Sequence, residues 1–179
     1  MIEDIKKVLI TEEELKKRVK ELGKTITQDY QGKKLVLIGV LKGGVVFLAD
    51  LIREIDLPLD IDFISVSSYG DSTRSSGIVR IIKDIDIDIM GKHVLIVEDL
   101  VDSGLTLRYI KDLFVARDPK SVKCCTALDK PSTREVEIEI EYKGTIIPDE
   151  FVVGYGLDFA GKYRNLPDVC ILKPHVYYE

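Results

Sequence analysis

The sequence is poor in the residues that build metal cages and covalent staples: it has two histidines and three cysteines in 179 residues. Cys124, Cys125 and Cys170 form no C-x-x-C pair, and the adjacent two could bridge only through a strained ring. Neither a disulfide framework nor a zinc knuckle is therefore expected. His93 and His175 are too few for a histidine-rich metal site, and the simplest reading leaves both without a role. No apolar run approaches the length of a membrane span, and residues 1–7 alternate charge with apolar side chains instead of forming an export signal. A reducing cytoplasm, with no membrane partner, is the expected setting. Basic charge is also short, 26 Lys and Arg against 31 Asp and Glu, so the net charge of -5 gives no footprint for nucleic acid. Any phosphate ligand has to be met by local devices. G-x-x-x-x-G-K-[ST], G-x-G-x-x-G and G-x-S-x-G are all missing, which removes the main support for P-loop, dinucleotide and serine-hydrolase chemistry.

What remains is 45% hydrophobic and 32% charged, enough for one sizeable core and a single domain over residues 1–179. Thr11-Glu12-Glu13-Glu14 is a capping box, and Leu15, Val19, Leu22 and Ile26 follow on one helical face. Residues 35–41 form a continuous apolar run typical of a strand buried on both faces, and 45–55 read as a core-facing helix. Strands are predicted at 61–68 and 78–82, separated by a polar Gly/Ser/Asp-rich stretch that reads as a mobile loop. The alternation at 85–89 predicts a hairpin with 79–82 across Lys83-Asp84. A buried strand at 93–97, a helix at 106–116 and a strand at 122–128 follow. The alternation of Glu and apolar residues at 135–141 predicts a half-exposed strand with an acidic outer face, and strands are expected at 151–155 and 169–172. Buried strands alternating with helices argue an α/β domain with a parallel sheet.

The informative stretch is 94–107. A buried strand ends in Glu98 and Asp99, and a turn bearing Asp102, Ser103, Gly104 and Thr106 then opens a helix at the carboxyl edge of the sheet, where α/β proteins bind ligands. Helix N-terminal N–H groups, a glycine permitting close approach and two hydroxyls make an anion cradle suited to a phosphate monoester. Glu98 and Asp99 are then placed to accept from vicinal ribose hydroxyls. The plainer reading is a helix cap at Asp102 or Ser103 and an ordinary strand end. Three carboxylates beside an apolar strand repel one another and are costly without a ligand or cation, which favours a binding site.

This segment resembles the phosphoribosyl-diphosphate signature of type I phosphoribosyltransferases, because both acidic positions, the second Asp and the Ser-Gly-x-Thr loop coincide. Leu41-Lys42-Gly43-Gly44, Ser68-Tyr69-Gly70, Asp129-Lys130-Pro131, the run from Phe151 through Asp158 and Tyr163-Arg164-Asn165-Leu166-Pro167 look like the hypoxanthine-guanine phosphoribosyltransferases, in matching order across nearly the whole chain. The resemblance implies a type I phosphoribosyltransferase fold: a parallel sheet core flanked by helices, a small hood subdomain built from the N-terminal segment and parts of 130–179, and a flexible hairpin loop. It also implies purine salvage, the Mg2+-dependent transfer of 5-phosphoribose from 5-phosphoribosyl 1-diphosphate to hypoxanthine or guanine, by a homodimer or homotetramer.

On the same resemblance, Ser103, Gly104, Leu105 and Thr106 hold the 5-phosphate, Glu98 and Asp99 meet the ribose, and Asp102 stands beside N7 of the purine as general base. Lys42, Gly43 and Arg164 bind pyrophosphate, with a Leu41-Lys42 bond that can be cis in the family, while Asp158 joins Glu98 and Asp99 as a magnesium ligand. Lys130 donates to a 6-oxo group, Phe151 stacks on the base and the Val152 backbone meets its edge, a division that selects 6-oxopurine over adenine. Ser68 and Tyr69 begin a loop that closes over the site and excludes water. Taken alone, Lys42 and Arg164 would read as surface charge, Asp158 as a turn residue and Phe151 as core. Ala160-Gly161 stands where relatives more often carry a bulkier or charged residue, which predicts a looser hold on Arg164. A nucleic-acid-binding regulator on the same fold would need a basic face, against which the composition argues.

Overall fold

The structure, a computed structural model, describes residues 1–68 and 79–176. In chain order the elements are β1 (Ile5–Ile10), α1 (Glu12–Asp29), β2 (Leu35–Leu41), α2 (Val45–Glu54), β3 (Leu59–Ser68), β4 (Val79–Lys83), β5 (His93–Val101), α3 (Leu105–Val115), β6 (Ser121–Asp129), β7 (Tyr142–Ile146), β8 (Val152–Val153) and β9 (Val169–Leu172), with three short 3-10 turns. Six strands form the main sheet in the order β4-β3-β2-β5-β6-β7, and every pairing in it is parallel except β3 with β4. Helices α2 and α3 make the crossovers between β2 and β3 and between β5 and β6.

The apolar strand runs have the composition they do because the sheet is covered on both faces. Leu35, Leu37, Leu95, Val97 and Cys125 face one core with Phe47, Leu48 and Leu51 of α2 and the buried stripe Leu15, Val19, Leu22 and Ile26 of α1. Val36, Ile38, Val40, Val94, Ile96 and Cys124 alternate with them and face a second core with Leu107, Ile110 and Phe114 of α3. The capping box is present at the start of α1: Thr11 Oγ1 accepts from the Glu14 amide, and Glu14 accepts from the Thr11 amide at 2.8 Å. A second, three-stranded antiparallel sheet, β1-β9-β8, carries a small cluster of its own around Val153, Tyr163, Cys170 and Leu172. All three cysteines are buried and free, and among the described residues no helix is long and apolar enough to cross a membrane.

Four readings of the sequence need correction. Residues 85–89 form no strand. Instead β4 pairs with β3, with Ser68 opposite Val79, and the Asp62 carboxylate takes the amides of Asp86 and Ile87 at 2.6 and 3.0 Å. Lys83-Asp84 has no glycine or asparagine, which two-residue hairpin turns with positive φ favour most, and Ile85, Ile87 and Ile89 pack into the second core. Residues 135–141 are likewise not a strand, because β7 pairs parallel to β6 and the chain must return from the carboxyl end of one to the amino end of the other. That return is residues 134–141, and Ile138 and Ile140 are its contribution to the core. The strand expected at 151–155 shrinks to Val152–Val153, and the N-terminal strand β1 was not anticipated. Tyr69 and the polar stretch after it lie outside the described residues.

The acidic alternation at 135–141 is not uniform in role either. Glu137 is exposed, whereas Glu141 accepts from the Cys124 amide at 2.7 Å and lies 3.4 Å from the Lys111 ammonium. Glu141→Ala leaves the buried Cys124 N–H unpaired and is expected to cost about 1–3 kcal/mol, while Glu137→Ala stays within about 0.5 kcal/mol of the parent. Thermal unfolding of the two variants side by side checks this, and equal melting temperatures would refute the assignment.

Candidate active site

The carboxyl ends of β2, β5 and β6 open into one cleft of about 420 Å³. Lys42 and Gly43 enter it from the turn after β2, Glu98, Asp99, Asp102 and Thr106 from the end of β5 and the start of α3, and Lys130 from the residue after β6. Phe151, Val152, Leu157, Asp158 and Arg164 close the opposite side. A recess of about 100 Å³ continues from it between Glu98, Asp102, Ser103, Gly104, Thr106 and Leu107. Apart from Leu105, which lines neither space, and Ser68 and Tyr69, the expected residues from 42 to 164 thus converge on one place, although they come from five separate segments. Ser68 only ends β3 here, and Tyr69 is outside the described residues. A groove of similar size at the amino ends of β2 and β3 holds none of the expected residues.

The turn after β5 has the geometry of an anion cradle. Gly104 precedes α3 with φ +84°, a left-handed conformation open to glycine at little cost, and caps no N–H with a side chain. Beyond Leu105, the amides of the first α3 turn therefore have no capping side chain from Gly104, the state in which a helix N-terminus can meet an anion. Leu105 N–H reaches the Ser103 hydroxyl at 3.4 Å, and the Ser103 carbonyl accepts from the Glu135 and Val136 amides at 2.9 and 3.4 Å. Asp102, exposed, stands beside the recess at the mouth of the cleft.

Two carboxylates share the floor. Glu98 is 8% exposed, and burial first, then the neighbouring Asp99 charge, raises its pKa well above the usual carboxylate range. Asp99 accepts from the Leu100 amide at 2.9 Å and presses against the turn after β2: a Cβ placed on Gly43 would lie 1.6 Å from Asp99 Oδ2. Any side chain at position 43 would displace that carboxylate. The Leu41-Lys42 peptide is cis. On its far side the Gly43 carbonyl abuts Gly156, so this turn is held between Asp99 and the 154–157 turn.

Arg164 pairs with Asp158 at 2.6 Å and donates to the Gly156 carbonyl at 2.6 Å. Gly161, at which the sequence suggests a looser hold on Arg164, meets this arrangement through its backbone. It adopts φ +79° and donates its amide to Asp158 Oδ2 at 2.7 Å, fixing the carboxylate that holds Arg164. Lys130, 5% exposed, meets only the Asp149 carboxylate, at 4.0 Å, among the described residues. Phe151 is half exposed over the cleft and edge-to-face with Phe159 at 5.8 Å. Sequence reasoning missed Val40, Val66 and Leu157, which also line the cleft, because an apolar residue in a strand or a turn carries no signal separating floor from core.

The raised Glu98 pKa has a consequence for stability. Between its unfolded value near 4.5 and its higher folded value, the folded chain holds more protons than the unfolded one, so stability falls as pH rises through that window. Glu98→Gln is expected to melt a few degrees higher than the parent at pH 7 and to lose this advantage near pH 4. Melting curves at the two pH values check it, and a lower melting temperature for the variant at pH 7 would contradict the assignment.

Comparison with known proteins agrees with this arrangement. Residues 9–160 match the phosphoribosyl transferase domain. The chain is 56% identical over 177 residues to the hypoxanthine-guanine phosphoribosyltransferase of Bacillus subtilis, covering 99% of this chain and 98% of that one. It is 52% identical over 179 residues to the bifunctional protein TilS/HprT of Listeria monocytogenes, covering all of this chain but spanning only 28% of that relative's length. A crystal structure of a hypoxanthine phosphoribosyltransferase from Staphylococcus aureus superposes with a TM-score of 0.97 at 51% identity, covering 100% of this chain and 97% of that one. With the matched domain spanning most of the sequence and the cleft assembled from the same stretches, the chain belongs to the phosphoribosyl transferase family.

Proposed function

We propose that the protein salvages purines: it transfers 5-phosphoribose from 5-phosphoribosyl 1-diphosphate to hypoxanthine or guanine, releasing pyrophosphate and giving IMP or GMP. The observation that carries this reading is the N-terminus of α3, to which Gly104 brings no capping side chain, with Asp102 beside it, opening onto the same cleft as the buried Lys130 and the Asp158–Arg164 pair. A phosphate monoester, a base and a diphosphate each meet complementary groups there. Residues 103–106 take the 5-phosphate, Glu98 and Asp99 the ribose hydroxyls, and Lys42, Gly43 and Arg164 the pyrophosphate. Lys130 donates to the 6-oxo group, Phe151 stacks on the ring and the Val152 backbone reads its edge. We place the β1-β9-β8 sheet as the hood over one domain of 179 residues, working in the cytoplasm as a homodimer or homotetramer.

In the transfer, the bond from the anomeric carbon to the diphosphate oxygen breaks as the bond to the purine nitrogen forms. Positive charge builds on the ribose, as in glycoside hydrolysis, and negative charge on the departing pyrophosphate. Asp102 accepts the proton from N7, help worth roughly 10²- to 10⁴-fold. Arg164 and Lys42 face the leaving group, where fixed cations stabilise developing charge without reorganising. The donor chemistry of the cleft fits Mg2+. Among the described residues no three acidic, His or Cys side chains gather into a cage, and Mg2+ characteristically takes one or two carboxylates together with substrate phosphates and water. One or two of Asp158, Glu98 and Asp99 would hold it together with the diphosphate, and when bound it would supply neutralising charge there.

The test is formation of nucleoside monophosphate from 5-phosphoribosyl 1-diphosphate with hypoxanthine, guanine, xanthine, adenine or uracil, with and without chelator. Product with hypoxanthine or guanine, lost on chelation, is expected; product with adenine or uracil alone, or none with any base, would overturn the proposal. Asp102→Asn should lower the single-turnover rate by about 10²- to 10⁴-fold with little change in binding of the diphosphate. A near-normal rate would remove Asp102 from its role.

A further inference from the structure

We propose that Arg134, paired with Asp129, is a positioning residue that locks the phosphate loop and the base-facing lysine into one rigid unit. The proposal rests on the phosphoribosyl-transfer reading above. Asp129 ends β6 and is 3% exposed, and the next residue is Lys130. Five residues on, the Arg134 guanidinium bonds the Asp129 carboxylate through Nη2, while its Nε is buried and has no partner. The aliphatic part of the same side chain lies against the phosphate loop, since a Cβ on Gly104 would sit 2.9 Å from Arg134 Cδ.

The backbone around this pair grips the loop from both ends. The Lys130 amide donates to the Val101 carbonyl at 3.0 Å, just before Asp102, and the Glu135 and Val136 amides converge on the Ser103 carbonyl. Thr133 closes the intervening turn by donating its hydroxyl to the Lys130 carbonyl at 3.0 Å. Residues 130–136 are thus a clasp around 101–104, and the Arg134–Asp129 pair is the bolt through it.

An arginine is an expensive choice for this place if packing alone were needed. It leaves a buried donor unpaired, and apolar residues of similar volume often replace a buried ion pair without loss of stability. What the guanidinium provides instead is a fixed distance between Asp129, and therefore Lys130, and Gly104. The phosphate and the base of one nucleotide must be held at such a fixed separation for the reacting atoms to align, and small misplacements at such sites carry large rate and affinity effects.

The variants that separate positioning from stability are Arg134→Met, Arg134→Lys and the double variant Asp129→Asn with Arg134→Met. Ribose 5-phosphate, which needs the phosphate loop but neither base nor pyrophosphate groups, serves as the binding probe in calorimetry. We expect Arg134→Met to weaken ribose 5-phosphate binding, to raise KM for 5-phosphoribosyl 1-diphosphate by about 10-fold and to lower kcat by about 10-fold as the reacting atoms lose their alignment. The double variant removes the unpaired Asp129 charge, so it should regain the parental melting temperature without regaining KM. Arg134→Lys keeps the charge and should recover most of the melting temperature and only part of the affinity. Unchanged KM and ribose 5-phosphate binding in Arg134→Met, or their recovery together with the melting temperature in the double variant, would reduce the pair to a structural role. If Arg134→Met does not fold, the double variant and Arg134→Lys carry the same comparison. Failure of the parent protein to turn over with any base would instead count against the phosphoribosyl-transfer reading, while ribose 5-phosphate binding still reports on the clasp.

Discussion

Glu98 sits near the carboxyl end of β5 with its side chain almost wholly withdrawn from water, one residue from Asp99, whose carboxylate fills the space that a Cβ on Gly43 would occupy. Burying a carboxyl group beside another is costly unless it is paired or protonated, and burial duly pushes the Glu98 pKa upward. The neighbouring features follow from that constraint. Position 43 has room only for glycine, the turn bearing it is wedged between Asp99 and Gly156, and the Gly156 carbonyl in turn receives Arg164. A cleft with a buried acid at its floor therefore acquires an arginine at its rim through contacts rather than through proximity in sequence.

The parallel sheet is what allows so many chain segments to meet. Parallel neighbours deliver their carboxyl ends to the same edge, and each must be followed by a return path to the other edge. For β2 and β5 that path begins with a helix, so the turn before the helix lies at the site. For β6 it is the extended segment 134–141, and this segment is not idle connection: at its start it clasps the turn after β5, and at its end Glu141 satisfies the Cys124 amide on the edge that β7 does not cover. One crossing thus serves the site and the sheet together.

How much of this was legible depends on the range over which each signal acts. The β2, β5 and β6 strands, the α1 capping box and the turn at 102–106 are written in contiguous residues and stood out from pattern alone. The 135–141 segment carries perfect strand alternation, yet its fate is decided by the direction in which β7 pairs with β6, a fact that no local period encodes. Ile85, Ile87 and Ile89 misled for a related reason: their alternation reflects packing onto the second core, with Asp62, more than twenty residues earlier, supplying the acceptor for the backbone. For the cleft, the charged and glycine-bearing turns were readable because such residues are unusual beside apolar strands. Val40, Val66 and Leu157 were not, since the same residue types fill every buried strand.

Gly161 takes on a second meaning once its partner is known. Viewed as a missing side chain it suggests slack around Arg164; viewed with its φ of +79° it is the residue that lets an amide turn back onto Asp158. Asp158 is then held by a backbone N–H on one side and a guanidinium on the other, and the guanidinium is itself anchored on Gly156. On the proposed reading, this closed set of contacts is the resting form of the pyrophosphate subsite. Opposite charges that a diphosphate and its cation would otherwise engage separately satisfy each other at 2.6 Å, at a place too open for the pair to gain much stability from the contact. An ion pair of that kind keeps both groups in position for a charged ligand while giving up little when the ligand arrives, which is the property a subsite for a highly charged leaving group requires.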